Sequence, residues 1–144
     1  MKEIAKYSGC FVCGDDNQIG LGARFFFDNQ KALTSINAER QFEGYRDIYH
    51  GGIIATLLDE VMIKALLGQD IVAMTVELTV RFHKPVEIGQ RLDFEGWLGN
   101  HRGRLYLTEG TVKTAEGETV ADATGKYIEV KKDMKTKLLR SLER

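Results

Sequence analysis

The chain has 144 residues, of which 43% are hydrophobic and 28% are charged, and its formal net charge is −1. This length suits one domain, residues 1–144, with a core that needs no disulfide or metal. The near-neutral charge argues against a nucleic-acid-binding protein, which usually carries a basic excess. Because the sequence has no apolar run long enough for a transmembrane helix and no apolar N-terminal leader, we expect no membrane contact and a cytoplasmic location.

The first half of the chain predicts two strands and then one long helix. Alternating apolar and polar side chains indicate the strands, which are separated by a hairpin turn. In the stretch before the helix the apolar residues show no periodic spacing. The helix ends at Gly68. The elements in chain order are a strand at residues 20–28, a strand at 31–39, a loop at 40–49 and a helix at 51–67.

The second half predicts four further strands, joined by turns that are rich in glycine and charged residues. Their expected ranges are 71–83, 91–99, 105–115 and 118–130. One apolar helix among antiparallel strands predicts an α+β fold, in which a curved antiparallel sheet of five to six strands wraps around one long central helix. The core should span about residues 10–130, and the tail at 131–144 should form a short helix or fray.

The predicted helix has two different faces when its residues are placed at 100° intervals. The face toward the sheet is apolar and consists of Ile54, Leu57, Leu58, Val61, Met62 and Ala65. The opposite face is polar in its first half and apolar near Ile63 and Leu67. An apolar outer face needs a partner, which a second copy of the chain can supply through a two-fold interface. We therefore expect a homodimer or homotetramer.

The polar half of that outer face suggests acyl chemistry. Gly52 and Asp59 share one stripe of the helix, whereas Glu60 lies 100° away from Asp59. The amides at a helix N-terminus can stabilise negative charge, and a carboxylate in an apolar helix is costly unless it is used or satisfied. Because about 10 Å of helix separates Gly52 from Asp59, we expect the amide of one subunit to face the carboxylate of the other.

Two cysteines, Cys10 and Cys13, form a C-x-x-C pair near the N-terminus. Half a zinc site needs a second half, and the three histidines show no paired ligand spacing. A redox C-x-x-C usually opens a helix after a strand, which the turn-rich stretch after Cys13 does not predict. We interpret the two side chains as apolar anchors of an N-terminal loop, and no metal site is expected.

Several segments together resemble one enzyme family. His50, Gly51, Gly52 and Asp59 form an H-G-G-x6-D pattern. Further matching segments lie at residues 10–14, 20–21, 75–85 and 121–125. Over about residues 10–130 the chain resembles the hotdog-fold acyl-CoA thioesterases, within the superfamily named for 4-hydroxybenzoyl-CoA thioesterase and nearest its phenylacetate-type branch.

The resemblance implies a thioester hydrolase with a site between subunits. The thioester carbonyl would lie at the helix N-terminus, beside Gly51, where the Gly52 amide polarises it. Asp59 would act as general base or nucleophile, and Thr75 would help to position water. Glu60 is the alternative catalytic acid. If it has no catalytic role, it is expected to form an ion pair with Lys64 four residues later.

His50 could take part directly at this site, hold the loop or simply cap the helix. Coenzyme A is implied as part of the substrate, so no separate cofactor is expected. Candidate side chains for its phosphates are Arg81, His83, Lys84, Arg102 and Arg104. The acyl group, small or medium and aliphatic or aryl, is not identified by the sequence, although Phe42, Tyr45 and Tyr49 could line its tunnel or pack the loop.

Two alternatives remain open at this point. Hotdog-fold hydratases or dehydratases pair a histidine with an acid, and the H-G-G-x6-D spacing does not match their pattern. A non-catalytic acyl-CoA-binding protein is the other alternative. Regulators of that kind usually add a DNA-binding helix-turn-helix, for which this chain has no room.

Overall fold

A computed structural model describes residues 1–142 of the chain. The helices and strands follow one another in the predicted order, and a short 3-10 helix at Arg40–Phe42 lies inside the predicted loop. In chain order the elements are β1 (Lys2–Glu3), β2 (Phe26–Asp28), β3 (Lys31–Asn37), α1 (Gly51–Leu67), β4 (Ala73–Phe82), β5 (Arg91–Arg102), β6 (Leu105–Thr114), β7 (Thr119–Glu129) and α2 (Lys132–Arg140).

All seven strands form one antiparallel sheet in the order β1-β2-β3-β5-β6-β7-β4. The predicted α+β hotdog fold is confirmed, with seven strands rather than five to six. The additional strand, β1, has two residues, which is too short to produce a period in the sequence. Residues 20–25, predicted as strand, instead bond to the N-terminal loop through Leu21 and Ala23.

Helix α1 packs across one face of the sheet and contacts strands β3 to β7. All six residues of the predicted apolar face are buried, and Lys64 and Leu66 are buried as well. The buried part of the α1 surface is wider than the face that contacts the sheet. The N-terminal loop covers the additional part, around Lys64. Within the described residues neither helix is long and apolar enough to cross a membrane.

Two glycines, paired across β5 and β6, allow α1 to lie close to the sheet. A Cβ at Gly96 would lie 2.6 Å from the Val61 carbonyl oxygen, whereas one at Gly110 would meet the flexible Met62 side chain at 3.2 Å. Backbone cannot yield as a side chain can, so Gly96→Ala should lower the free energy of unfolding by about 1–3 kcal/mol. Gly110→Ala is the matched control, and chemical denaturation should show the smaller loss there.

Candidate active site

The N-terminus of α1 is capped by its own histidine. His50 is the N-cap residue, and its Nδ1 accepts a hydrogen bond of 2.8 Å from the Gly52 amide. The amide predicted to polarise a carbonyl is therefore occupied by the imidazole in this structure. A substrate oxygen can reach that amide only when the His50 ring rotates away, which makes His50 a competitor for the same donor.

Two open clefts meet at this helix end. They have volumes of about 500 Å³ and about 290 Å³, and both are lined by Ile48, Tyr49 and Gly51. Tyr45 and His50 line the larger cleft, as part of the loop expected to shape the acyl pocket. Asp59 lines neither cleft, so one subunit alone does not bring Asp59 to the amide end of the helix.

Asp59 is held by two hydroxyl groups that donate to the same carboxylate oxygen. The Thr75 hydroxyl and the Tyr127 hydroxyl each lie 2.9 Å from Oδ1 of Asp59. Across residues 1–142, Oδ2 accepts no hydrogen bond from the protein. The carboxylate is thus fixed in orientation while one oxygen keeps its lone pairs for water or for a carbonyl carbon.

Strand pairing explains why these two hydroxyls converge. Thr75 of β4 lies opposite Tyr127 of β7, next to a bulge in β4. The family resemblance implied that Thr75 acts beside Asp59, but Tyr127 was missed, because only the register between β4 and β7 identifies it. Burial, and then the neighbouring Asp59 charge, raises the pKa of Tyr127, so its hydroxyl stays a neutral donor.

Glu60 occupies a different environment from Asp59. Its carboxylate lies 3.8 Å from the Lys64 ammonium, which confirms the predicted contact at i,i+4, and near the sulfurs of Cys10 and Cys13. Burial raises the pKa of Glu60 to about 7, since Lys64 offsets only part of the cost of a buried charge. The two adjacent carboxylates that the sequence singled out thus belong to two separate clusters.

The raised pKa of Glu60 makes a pH-dependent stability prediction. The folded chain holds this proton more tightly than the unfolded chain does. The protonated Glu60 therefore stabilises the folded chain. This stabilisation is complete below the ordinary pKa of 4.5 and is lost as pH rises to about 7. It amounts to about 3 kcal/mol of the free energy of unfolding. The groups facing Glu60 are Cys10 and Cys13 from the loop and Asp59 and Lys64 from α1.

Urea denaturation of the reduced protein between pH 4.5 and pH 8 tests this prediction. Cys10 adds stability as pH rises in both proteins, because the hydrogen bond with the Cys13 thiol lowers its pKa, so the difference between the two proteins isolates Glu60. The free energy of unfolding of wild type relative to Glu60→Gln should fall by about 3 kcal/mol between pH 4.5 and pH 8. Glu116→Gln, in an exposed turn, is the matched control and should keep the wild-type slope. Equal slopes for wild type and Glu60→Gln would contradict the assignment.

Most of the predicted phosphate-binding cations are already paired with carboxylates. Arg81 and His83 both contact Asp122, at 3.0 Å and 2.6 Å, and Lys84 lies 2.7 Å from Glu118. The hydrogen bond from His83 is the main reason why the pKa of Asp122 is lowered. The remaining two, Arg102 and Arg104, lie at the β5–β6 turn, where the Arg104 Nε donates to the Glu129 carbonyl.

Strand β4 ends the sheet and leaves one edge without a strand partner in the described chain. It is ten residues long, and Met74, Val76 and Phe82 on it are 46%, 59% and 53% exposed. A long apolar edge of this kind is suited to pairing with another strand. Thr75 belongs to this edge strand, so the edge lies next to Asp59, to which the Thr75 hydroxyl donates.

Comparison with solved structures finds the same fold repeatedly. A crystal structure of a thioesterase superfamily protein superposes with a TM-score of 0.78 at 25% identity, over 83% of this chain and 62% of the other. The chain thus spans less than two thirds of that relative. The E. coli PaaI protein from the phenylacetic acid degradation operon gives a TM-score of 0.72 at 20% identity, over 77% of this chain and 81% of PaaI.

A hypothetical thioesterase from Streptococcus pneumoniae TIGR4, solved with coenzyme A, gives a TM-score of 0.67 at 16% identity, over 69% of this chain and 81% of the other. That protein has also been solved with one threonine, and separately one aspartate, replaced by alanine. No curated protein matches the chain in sequence. The thioesterase superfamily family model matches residues 47–121, about half of the chain and all of α1 and β4. The chain therefore belongs to the thioesterase superfamily.

Proposed function

We propose that the protein hydrolyses acyl-CoA thioesters with a small or medium acyl or aryl group. The observation that carries the proposal is the Asp59 carboxylate, with Oδ1 fixed by Thr75 and Tyr127 and Oδ2 open. Asp59 then acts as general base or nucleophile. Coenzyme A is part of the substrate, so the reaction needs no separate cofactor, and the expected location stays the cytoplasm.

The general-base route uses groups that the chain already positions. Oδ2 of Asp59 takes a proton from a water molecule while the oxygen of that water attacks the thioester carbonyl carbon. The Gly52 amide and the positive end of the α1 dipole stabilise the oxyanion once the His50 ring has released that amide. The carbon–sulfur bond then breaks, and the coenzyme A thiolate leaves and takes up the proton. In the nucleophile route the same oxygen attacks first and water cleaves the resulting anhydride.

The S. pneumoniae variants give further support for these two residues. In that coenzyme A-bound protein, the aspartate and the threonine chosen for replacement are separated by 16 positions. Asp59 and Thr75 have the same separation of 16. The matching residue types and spacing favour a shared Asp–Thr arrangement.

The site is proposed to be complete only in a dimer formed through β4. Two such edges can pair antiparallel and continue the sheet from one subunit into the next. This pairing would cover Met74 and Val76 and bring a second α1 across the Thr75–Asp59 face. The Gly52 amide of one subunit and Asp59 of the other would then face one carbonyl. Two such dimers can associate further into a tetramer, with the β5–β6 turn carrying Arg102 and Arg104 as the first region to test for coenzyme A phosphates.

Release of free thiol from a panel of acyl-CoA and aryl-CoA substrates tests the function. Hydrolysis with at least one member of the panel is expected. A crotonyl-CoA hydration assay, followed by absorbance, separates hydrolysis from hydration. Binding of acyl-CoA without turnover of any member would instead indicate a binding protein.

A further inference from the structure

A second cluster of reactive side chains surrounds Glu60, about 100° around α1 from Asp59. The sulfurs of Cys10 and Cys13 and a carboxylate oxygen of Glu60 all lie within 4.8 Å of one another. Lys64 adjoins them, at 3.8 Å from Glu60. We call these four residues the dithiol cluster. None of them donates to Asp59, so the proposed hydrolysis does not use them.

The backbone holds the two thiols in a single turn. The Gly14 amide donates to the Cys10 carbonyl at 2.9 Å, and the Cys13 amide donates to the Cys10 sulfur at 3.3 Å. A Cβ at Gly14 would collide with the backbone of Ser8 and Cys10, so the turn requires glycine there. This arrangement keeps the sulfurs facing each other within reach of a short C-x-x-C disulfide.

The two thiols differ in the way that disulfide exchange requires. The hydrogen bond with the Cys13 thiol, helped by backbone amides and Lys64, lowers the pKa of Cys10. The same contact and burial raise the pKa of Cys13. Cys10 is half-buried, whereas Cys13 is only 3% exposed. Cys10 can therefore meet an external reagent as a thiolate, and Cys13 is kept as a protected thiol.

The carboxylate and the ammonium beneath the thiols form an ion pair in a largely buried position. Lys64 is 3% exposed and donates to the Ala5 carbonyl at 2.6 Å. Two cysteines that only anchored a loop would not need a buried acid and base, which are costly to desolvate. The ammonium beside Glu60 also opposes a divalent cation at that carboxylate. The cluster therefore favours proton transfer between Cys13 and Glu60 over metal binding.

A small reagent can reach this cluster. A cavity of about 190 Å³ lies between the N-terminal loop, α1 and the start of β4. Tyr7, Cys10, Cys13 and Glu60 all contribute to its wall. Tyr7 is half exposed, so the cavity opens toward solvent on the Cys10 side.

We propose that Cys10 and Cys13 are a redox-active dithiol that exchanges with low-molecular-weight disulfides, with Glu60 as the proton acceptor for Cys13. The sequence did not indicate that Glu60 and Lys64 lie beside the two thiols, because they are about 50 residues away and only the fold brings them beneath the loop. The inference is independent of the thioesterase proposal.

The exchange balances in two steps. The Cys10 thiolate attacks one sulfur of a disulfide R–S–S–R, forms a Cys10–S–R bond and breaks the R–S–S–R bond. The thiolate that is released takes up from solvent the proton that Cys10 had given to it. Glu60 takes the proton of Cys13, whose sulfur attacks Cys10 and releases the second thiolate. That thiolate is protonated from Glu60 or from water. The protein loses two electrons and gains a Cys10–Cys13 bond, and the external disulfide gains the two electrons and becomes two thiols.

Equilibration of the full-length protein in buffers of reduced and oxidised glutathione tests the proposal. After acid quenching and thiol alkylation, intact mass should show the loss of both thiols in one two-electron transition. Two results would overturn it: thiols that stay reduced in pure oxidised glutathione, or a glutathione adduct as the stable end product. One tightly bound Zn²⁺ that protects both thiols would instead identify a metal site.

Variants separate the three roles. Cys10→Ser should slow the reaction with oxidised glutathione by more than about tenfold, because the remaining thiol is buried and protonated. Cys13→Ser should stop at the glutathione adduct. Glu60→Gln should form the adduct at the wild-type rate but close the disulfide more than about tenfold more slowly. Glu116→Gln is the matched control, and equal closure rates for both glutamine variants would remove Glu60 from the mechanism. Asp59→Asn should show wild-type exchange, so failure of the thioesterase proposal leaves this test intact.

Discussion

Replacement of Asp59 by asparagine is expected to lower kcat for acyl-CoA hydrolysis by about 10²–10⁴-fold, the usual effect of losing one catalytic acid or base. Asparagine preserves the size of the side chain and can still accept from Thr75 and Tyr127 through its carbonyl oxygen. It cannot take a proton from water or attack a carbonyl carbon. The loss should therefore appear in kcat with KM changed little, measured by free-thiol release.

The companion variants make this result specific. Tyr127→Phe removes one of the two donors to Oδ1 and should reduce kcat by roughly tenfold, in line with the loss of one hydrogen bond to a charged group. Asp16→Asn, in the exposed N-terminal loop, is the matched control and should be indistinguishable from wild type. Full activity of Asp59→Asn, together with inactivity of Glu60→Gln, would transfer the catalytic role to the neighbouring carboxylate.

The sequence predicted the helix and its two faces because both follow from local periodicity. The apolar residues on the sheet face of α1 are buried as expected, and His50 and Gly52 lie at its start. It could not predict the short strand β1, since two residues carry no period. A cap by His50 was one of the predicted alternatives and is confirmed, but the sequence could not select it, because a histidine at this position can turn either toward the amide or away from it.

The clusters around Asp59 and Glu60 show where sequence reasoning ends. The helical wheel separated the two carboxylates by 100°, and the structure surrounds them with different partners. Those partners come from long-range contacts: Tyr127 is 68 positions from Asp59, and Cys10 and Cys13 come from the N-terminal loop. The spacing of these residues along the chain does not predict that they lie close together in the fold. The register of β4 against β7 and the path of the loop had to be observed.

The double substitution Met74→Lys and Val76→Lys is expected to separate the subunits and to lower hydrolysis by at least about 100-fold, because catalytic groups from two chains would lose their mutual position. Both side chains are exposed in the single chain, so the fold should tolerate the change, whereas paired β4 edges would bring like charges together. Light scattering after gel filtration should report a monomer with unchanged circular dichroism. Ile19→Lys with Met134→Lys is the matched control, because both side chains are exposed and lie outside the β4 edge.

Mixed subunits decide whether the site is shared between two chains. Gly52→Pro removes an amide in the first helical turn that has no acceptor within the helix, so it and Asp59→Asn should each be inactive alone. In a mixed dimer, the Gly52 amide of the Asp59→Asn chain faces the intact Asp59 of the Gly52→Pro chain, which restores one of two sites. Since half of randomly assembled dimers are mixed, an equimolar mixture should regain about a quarter of wild-type activity. A site contained in one chain would give no recovery, because every chain in the mixture lacks one of its two groups.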